Sequence, residues 1–239
     1  MIEMHNVSKV FRTDTIETHA LKRFHVNVEP GEFVAVTGPS GSGKTTFLNV
    51  AGLLEEFTAG RYILDGEDVS RLTDNERSRI RNEKLGFVFQ SFNLIPDLDL
   101  YDNVDVPLRY RKMAAPERRR RITTALETVG LAARMRHVPA HLSGGQQQRA
   151  AIARAIAGDP RVILADEPTG NLDTTMSEQI MELLEEINAR GTTVIMVTHN
   201  LDLARRARRH IEIIDGEIAG TAARPVGAAA ARPSIFPAA

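Results

Sequence analysis

The chain has 239 residues, 42% of them hydrophobic and 26% charged, with a formal net charge of -1. This suits one large or two small globular domains, and the near-neutral charge excludes a strong overall attraction to nucleic acid or to an anionic membrane. The absence of cysteine excludes disulfides and thiolate metal ligands and fits a reducing cytosol. No secretory signal pattern opens the sequence, and no stretch approaches the roughly 18 apolar residues that span a bilayer. We therefore expect any membrane role to run through another polypeptide.

The first buried strand signal leads into a glycine-rich turn. The apolar run 33–37 predicts the strand, and residues 38–45, GPSGSGKT, match the phosphate-binding pattern G-x-x-x-x-G-K-[ST]. Three glycines let backbone N–H groups converge on one anion, and a helix beginning near Lys44 adds its positive dipole end. Lys44 is predicted to reach the β- and γ-phosphates of a nucleotide, and Thr45 to bind Mg²⁺. The alternative, a glycine-rich turn with a chance lysine, is disfavoured by the full match.

Two Asp-Gly pairs predict β-hairpins, because each follows an apolar run and supplies a positive-φ turn. They are residues 65–66, after the run 62–64, and residues 215–216, after the run 211–214. Between them, the region from about Gln90 to Ala157 contains helix signals and no convincing strand. We interpret it as a helical subdomain, about 91–157, inserted into an α/β core.

The sequence LSGGQQQR at 142–149 allows two compatible interpretations. Ser143 and Gln146 form the S-x-x-Q capping box of a helix that continues through the alanine-rich run 150–157. Two glycines in the first turn also leave backbone N–H groups unshielded and open to an incoming anion. An ordinary helix cap does not require glycines at these positions. The segment is therefore predicted to be both a helix start and a phosphate-binding site.

A second buried strand, 162–165, is followed by paired carboxylates. Asp166 is predicted to act on the Mg²⁺ side and Glu167 to polarise the attacking water as general base. Paired acids after a strand are often only a solvated turn, but a phosphate-binding loop needs such a second half. Beyond them, residues 180, 183, 184 and 187 form the stripe of an amphipathic helix, and 194–198 predict a further buried strand.

These three motifs together resemble the ATP-binding cassette (ABC) family, whose signature LSGGQ stands unaltered at 142–146. The resemblance covers residues 1 to about 220. It implies an α/β fold: a P-loop NTPase ABC cassette with a RecA-like mixed-sheet core, an N-terminal antiparallel β subdomain and the inserted α-helical subdomain. Residues 221–239, rich in Ala and Pro, are expected to be a flexible C-terminal extension.

The resemblance also implies roles for matching positions outside the three motifs. Gln90 matches the glutamine that senses Mg²⁺ and the γ-phosphate, and His199 matches the histidine that contacts the γ-phosphate. Residues 171–173 match the loop that crosses the dimer interface. Phe11 stands where the family stacks an aromatic ring on adenine, with a role in the hydrophobic core as the competing interpretation.

The predicted site thus comprises three overlapping groups of residues. The catalytic group is Glu167, His199, Lys44 and Gln90. The metal ligands are Thr45, Gln90 and Asp166. The ATP-binding group is Phe11, Gly38, Pro39, Ser40, Gly41, Ser42, Gly43, Lys44, Thr45, Thr46, Ser143, Gly144, Gly145, Gln146 and Asp173.

The resemblance further implies a second copy of the chain as partner. Two copies would pair head to tail, so that ATP on residues 38–46 of one copy is completed by residues 143–145 of the other. ATP would join the copies and hydrolysis would release them, which converts phosphate chemistry into motion.

Residues 164–173, 85–90 and 93–96 are similar to a narrower group, the lipoprotein-release and macrolide-efflux (LolD/MacB-like) subfamily. The expected membrane partner is an integral permease of the FtsX/MacB-like type, contacted through Ser91 to Asp105. The chain would lie at the cytoplasmic face of the inner membrane without touching the cargo. A cell-division regulatory ATPase without transported cargo stays open as an alternative.

Other classes fit less well. DNA-repair and chromosome-organising members separate the two motifs by a long coiled coil, whereas Lys44 and Ser143 are only 99 positions apart. Translation factors carry two cassettes in one chain. Arginines at 118–121 and in 205–209 predict solvated faces, and without interleaved aromatic residues we expect no nucleic-acid partner.

Overall fold

The computed structural model describes residues 1–13 and 15–223, which form two β-sheets and a set of helices. The strands are β1 Ile2–Arg12, β2 Glu17–Val28, β3 Phe33–Thr37, β4 Ala59–Leu64, β5 Glu67–Asp68, β6 Leu85–Phe89, β7 Val162–Asp166, β8 Thr193–Val197, β9 Arg209–Ile214 and β10 Glu217–Ala223. The α-helices are α1 Lys44–Ala51, α2 Asp74–Lys84, α3 Leu100–Arg109, α4 Ala115–Thr128, α5 Gly144–Ile156, α6 Thr174–Ala189 and α7 Leu201–Ala204. Short 3₁₀ turns span Ala132–Arg134 and Pro139–His141.

The smaller sheet is antiparallel, with strand order β2-β1-β4-β5. Its β4–β5 hairpin turns at Asp65 and Gly66, with φ values of 52° and 78°. The β9–β10 hairpin of the larger sheet turns in the same way at Asp215 and Gly216, with φ values of 49° and 80°. Both predicted hairpins are confirmed, and positive φ at both turn positions explains why each needs Asp-Gly.

The larger sheet has the order β10-β9-β3-β8-β7-β6, with only the edge strand β10 antiparallel to its neighbour. The strands predicted at 33–37, 162–165 and 194–198 are confirmed as buried parallel neighbours, the last starting one residue earlier. Because these strands are parallel, the carboxyl ends of β3, β8, β7 and β6 lie along one edge. Open α/β sheets bind ligands at that edge.

The two faces of the larger sheet bury different layers. In β3, Val34 and Val36 pack with Phe47 of α1 and with the smaller sheet. Phe33 and Ala35, which point to the other face, pack with the buried side chains of α3, α4, α5 and α6. Hence α1 and α5, which follow the two glycine-rich motifs, lie on opposite faces of one sheet.

All the elements between β6 and β7 are helical, and α3 and α4 pack on α5 within this stretch. The helix predicted from residues 180–187 is confirmed as α6, with its stripe buried. Of the extension predicted at 221–239, the first three residues belong to β10 and positions 224–239 lie outside the described residues. No helix in the described part of the chain has the length and apolar character that a bilayer span requires.

Candidate functional site

The loop between β3 and α1 depends on its glycines for two separate reasons. Gly38, Gly41 and Gly43 have φ values of 147°, 76° and 104°, which other residues rarely adopt. A Cβ at Gly38 would also overlap the carbonyl oxygen of Ile213, and one at Gly43 would overlap that of Ala20. At Gly41 the space is open. The loop is therefore packed tightly against its supports and exposed where a ligand would approach.

Polar groups of this loop fit a phosphate group. The Lys44 Nζ donates to the carbonyl oxygens of Gly38 at 2.9 Å and Pro39 at 2.7 Å, so the ammonium lies over the loop. The Ser42 hydroxyl is buried and has no partner among the described residues. Gly43 begins α1 without a capping side chain, which leaves the first N–H groups of the helix available. An anion could bind all of these donors at once.

A cleft of about 430 Å³ opens beside the loop, between β1, β2 and the β9–β10 turn. Phe11, Lys44 and Thr45 lie on its walls. The Phe11 side chain is 41% exposed, with the Lys9 ammonium 4.6 Å from its ring centre. This exposure excludes the competing core role for Phe11 and leaves the ring able to stack on a nucleobase.

The carboxyl ends of β7 and β8 place the predicted base beside the predicted histidine. A Glu167 carboxylate oxygen lies 2.9 Å from His199 Nδ1, and the Glu167 N–H donates to the carbonyl of Val197 at 3.0 Å. Glu167 has a φ of 45°, a strained value for glutamate that costs about 1–3 kcal/mol. The sheet edge thus holds the Glu167 carboxylate in a defined position beyond the strand.

Gln90, at the end of β6, is tied to the loop that follows Glu167. The Gln90 amide donates to Asn171 Oδ1 at 3.2 Å, and the Asn171 amide donates to the Gln90 carbonyl at 3.0 Å. A Cβ at Gly170 would lie 2.8 Å from the Gln90 amide nitrogen and would displace that side chain from its present position. Asp173 caps α6 by accepting a hydrogen bond from the N–H of Met176 at 2.9 Å.

The signature segment begins α5 with the predicted capping box. Ser143 Oγ accepts from the Gln146 N–H at 3.4 Å, and the Gln146 side chain accepts from the Ser143 N–H at 3.1 Å. A Cβ at Gly145 would lie 2.7 Å from the Met176 sulfur, so the Met176 side chain would have to move to admit one. The structure therefore gathers the ends of β3, β6, β7 and β8 at one edge, and places the start of α5 on the face opposite α1.

Burial raises the pKa of Asp166, and the neighbouring carboxylate of Glu167 raises it further, while Lys44 opposes the shift. A divalent cation would relieve this repulsion. Magnesium sites commonly use one or two protein carboxylates together with phosphate oxygens. Asp166 and Thr45 fit such a site.

We expect Asp166→Asn to raise the melting temperature of the nucleotide-free protein while lowering ATP turnover more than about tenfold. The raised pKa means that the native state binds the Asp166 proton more tightly than the unfolded chain does. The stability that this proton provides is lost as the pH rises through the raised pKa, and asparagine escapes that loss. Thermal unfolding at roughly pH 4 and pH 8 checks the sign. A stability gain that is no larger at the higher pH would contradict the argument.

The two arginine clusters are largely paired with carboxylates of the same chain. Arg118 donates to buried Asp105 at 2.9 Å, and Arg206 donates to Glu185 at 2.7 Å. Both arginines are half-buried, so these pairs lie at the edge of the helix packing and not on fully solvated faces.

A groove of about 750 Å³ between α2, β6, α3 and α5 was missed by sequence reasoning. Phe89, Pro107 and Tyr110 line it, and Tyr110 is 79% exposed. Of the predicted partner-contact segment 91–105, only Asn93 reaches the groove. Tyr110 was the one residue whose type could have indicated this groove from the sequence. The other wall residues come from separate parts of the chain.

Comparison with known proteins identifies close similarities. Residues 21–170 match the family model described as ABC transporter. An uncharacterized ABC transporter ATP-binding protein, YvrO of Bacillus subtilis, is 48% identical over 91% of this chain and 95% of its own length. The macrolide export ATP-binding/permease protein MacB of Marinobacter nauticus is 44% identical over 91% of this chain, which spans 34% of MacB. A dimeric structure of the ATP-binding cassette MJ0796, bound to ADP and Pi, superposes with a TM-score of 0.87 at 43% identity, covering 95% of this chain and all of that one.

Proposed function

Because the chain belongs to the ABC transporter family, we propose that it is an ATP-hydrolysing transporter subunit whose active sites form between two head-to-tail copies. One observation carries the proposal. The glycine-rich loop at 38–45 and the ends of β6, β7 and β8 meet at one sheet edge, whereas α5, which begins at the signature segment, packs across the sheet from α1. A complete site therefore needs the second half from another copy. The similarity to the dimeric MJ0796 cassette supports this arrangement.

In such a dimer, the Lys44 ammonium leaves the carbonyls of its own loop and binds the β- and γ-phosphates of ATP. Glu167 accepts the proton of the attacking water, and His199, at hydrogen-bond distance from the Glu167 carboxylate, orients it. Asp166 and Thr45 would hold Mg²⁺, which would supply charge neutralisation at the phosphates. Ser143 and the glycines after it, from the second copy, bind the γ-phosphate on its far side.

The first steps of nucleotide binding follow from the walls of the cleft. Phe11 stacks on the base, which needs only an accessible aromatic face. Gln90 would give up its hydrogen bond to Asn171, its amide nitrogen then facing the γ-phosphate, and its amide oxygen would be a ligand for Mg²⁺. Gln90 directly follows Phe89, which lines the groove. Nucleotide binding that moves Gln90 is therefore transmitted to a protein bound in the groove.

We propose that a membrane permease of the MacB-like type binds this groove and places the chain at the cytoplasmic face of the membrane. The exposed surface of the groove is mostly apolar, with Leu54 and Tyr110 47% and 79% exposed, and arginines from α2, α5 and the segment after α3 also line it. An amphipathic helix from a cytoplasmic loop of the permease has the shape and chemistry to fill it. The MacB relatives, whose names join ATP binding to a permease, support an export permease as the partner.

Changing Tyr110 to glutamate is expected to abolish stimulation of ATP turnover by the reconstituted permease, because a carboxylate would enter the apolar contact. Turnover of the isolated chain should stay within about twofold, since Tyr110 lies outside the nucleotide cleft. Tyr110→Phe, which keeps the ring, is the matched control and should retain stimulation. Full stimulation of the glutamate variant would refute the docking surface.

A further inference from the structure

We infer that α5 links the two ATP sites of the dimer, by holding the loops after Glu167 and Gln90 in its own copy while presenting Ser143 to the other. This inference rests on the proposed ATP-sandwich arrangement. It assigns roles to Gln148 and Arg154, two side chains of α5 to which the sequence analysis gave no role.

The first contact joins α5 to the loop of the catalytic glutamate. Gln148 is fully buried, and its amide nitrogen donates to the carbonyl of Pro168 at 2.6 Å. Pro168 is the residue next to Glu167. The Gln148 amide oxygen has no partner among the described residues, so burying this side chain is unfavourable apart from that single bond. The structure thus retains a poorly satisfied glutamine at the point where α5 meets the Glu167 loop.

The second contact joins α5 to the segment after Gln90. The Arg154 guanidinium donates to the carbonyls of Phe92, at 2.9 Å, and Asn93. In the described part of the chain it has no carboxylate partner, and burial lowers its pKa. Phe92 and Asn93 have φ values of 59° and 50°, two consecutive left-handed residues that are not glycine. A partly desolvated cation therefore holds a strained turn in place directly beyond Gln90.

Side chains of the same two loops lie close to the first turn of α5. A Cβ built at Gly144 would come within van der Waals contact of them, 3.5 Å from the Leu172 side chain and 3.7 Å from the ring of Phe92. Leu172 belongs to the loop after Glu167, and Phe92 to the segment after Gln90. Ser143, which precedes Gly144, is thus adjacent to both loops at one end of α5, while Gln148 and Arg154 bind them further along the helix.

These contacts make the movement of either loop and the movement of Ser143 interdependent. Nucleotide that shifts Gln90 or Glu167 in one copy therefore changes the half-site that this copy offers to the other. By reciprocity, binding at Ser143 changes the geometry of Gln90 and Glu167 in the same chain. Gln148 and Arg154 are positioning residues in this scheme, because they touch no nucleotide.

The test uses mixed dimers isolated with ATP through two different affinity tags. One copy carries Glu167→Gln, so hydrolysis occurs only at the site containing the Glu167 of the other copy. Gln148→Met is then placed either in the copy that supplies Glu167 or in the copy that supplies Ser143 to that site. Methionine removes the Pro168 contact and also the unpartnered oxygen, so the fold should be retained, as thermal unfolding will check.

We expect single-turnover hydrolysis to slow at least about fivefold in both placements, with the ATP concentration for half-maximal rate changed less than about twofold. If Gln148 only supports Glu167 locally, hydrolysis will slow only when the variant is in the copy that supplies Glu167. If it only shapes the signature segment, hydrolysis will slow only when the variant is in the copy that supplies Ser143. Either result, or no change, would overturn the link. Glu186→Gln, at an exposed position on α6 away from the signature segment, is the control and should leave the rate unchanged in both placements.

A second variant guards against an effect peculiar to methionine. Arg154→Lys keeps the positive charge but replaces the guanidinium group with a single ammonium nitrogen. The variant therefore loses the paired hydrogen bonds from two nitrogens to the carbonyls of Phe92 and Asn93. It should slow hydrolysis in both placements as well, and normal rates would contradict the inference. If the mixed dimer without α5 changes fails to form with ATP, the proposed function itself is wrong, and the inference fails with it.

Discussion

Glu167→Gln is expected to lower steady-state ATP turnover at least about 100-fold, since general-base assistance typically contributes about 10²–10⁴. Glutamine keeps an oxygen that can accept the hydrogen bond from His199, now 2.9 Å from the Glu167 carboxylate, so the geometry of the strand end should persist. What is lost is the ability to take a proton from water. ATP binding should be intact, because the donors of the phosphate-binding loop are unchanged.

A closed dimer should therefore accumulate when the Glu167→Gln variant is given ATP and Mg²⁺. Light scattering of the eluted species, alongside phosphate release, checks both parts of the expectation. Glu186→Gln, an exposed position on α6, is the matched control and should leave turnover and assembly as in the parent chain. Normal turnover by the Glu167 variant would exclude the proposed base, whatever its state of assembly.

Lys44→Ala is expected to weaken ATP binding at least about tenfold, because hydrogen bonds to charged groups contribute about 1.5–3 kcal/mol each. Here the same ammonium already donates to two loop carbonyls, so it sits where phosphate oxygens would replace them. ATP turnover should fall because less nucleotide is bound. The Glu167→Gln variant, by contrast, is expected to bind ATP normally. Equilibrium binding of a fluorescent ATP analogue measures the effect.

Lys112→Ala is the matched control for that experiment, because Lys112 is exposed in the connection between α3 and α4. Its removal changes net charge equally and should leave affinity within about twofold. Unchanged affinity in the Lys44 variant would remove the basis for assigning residues 38–46 to phosphate binding.

Several features were predictable because their cause lies within a few residues. The capping box of Ser143 and Gln146 joins positions three apart on a helix start, and the Asp-Gly turns require positive φ at both positions. The buried strands ending at Thr37 and Asp166 were visible as short apolar runs. Local chemistry of this kind does not depend on what the rest of the chain does.

Pairings between distant segments were not predictable in the same way. The residues alone left Phe11 between a core role and base stacking, and only the walls around it decided that its ring is exposed. The groove that includes Tyr110 needs four separate elements to exist. The bonds of Gln148 and Arg154 to distant carbonyls carry no pattern in the sequence, since any carbonyl is an equivalent acceptor.

The sequence alone determined that this is an α/β chain with a glycine-rich turn between a strand and a helix, paired carboxylates after a buried strand, and a capped helix at the signature, because turn chemistry, capping and hydrophobic period are local properties. The tertiary structure decided that β3, β8, β7 and β6 lie side by side with their ends at one edge, which brings His199 to Glu167. It also decided that Ser143 lies across the sheet from α1. Strand order and the faces that helices cover depend on packing summed over the whole chain, and no short segment contains that information.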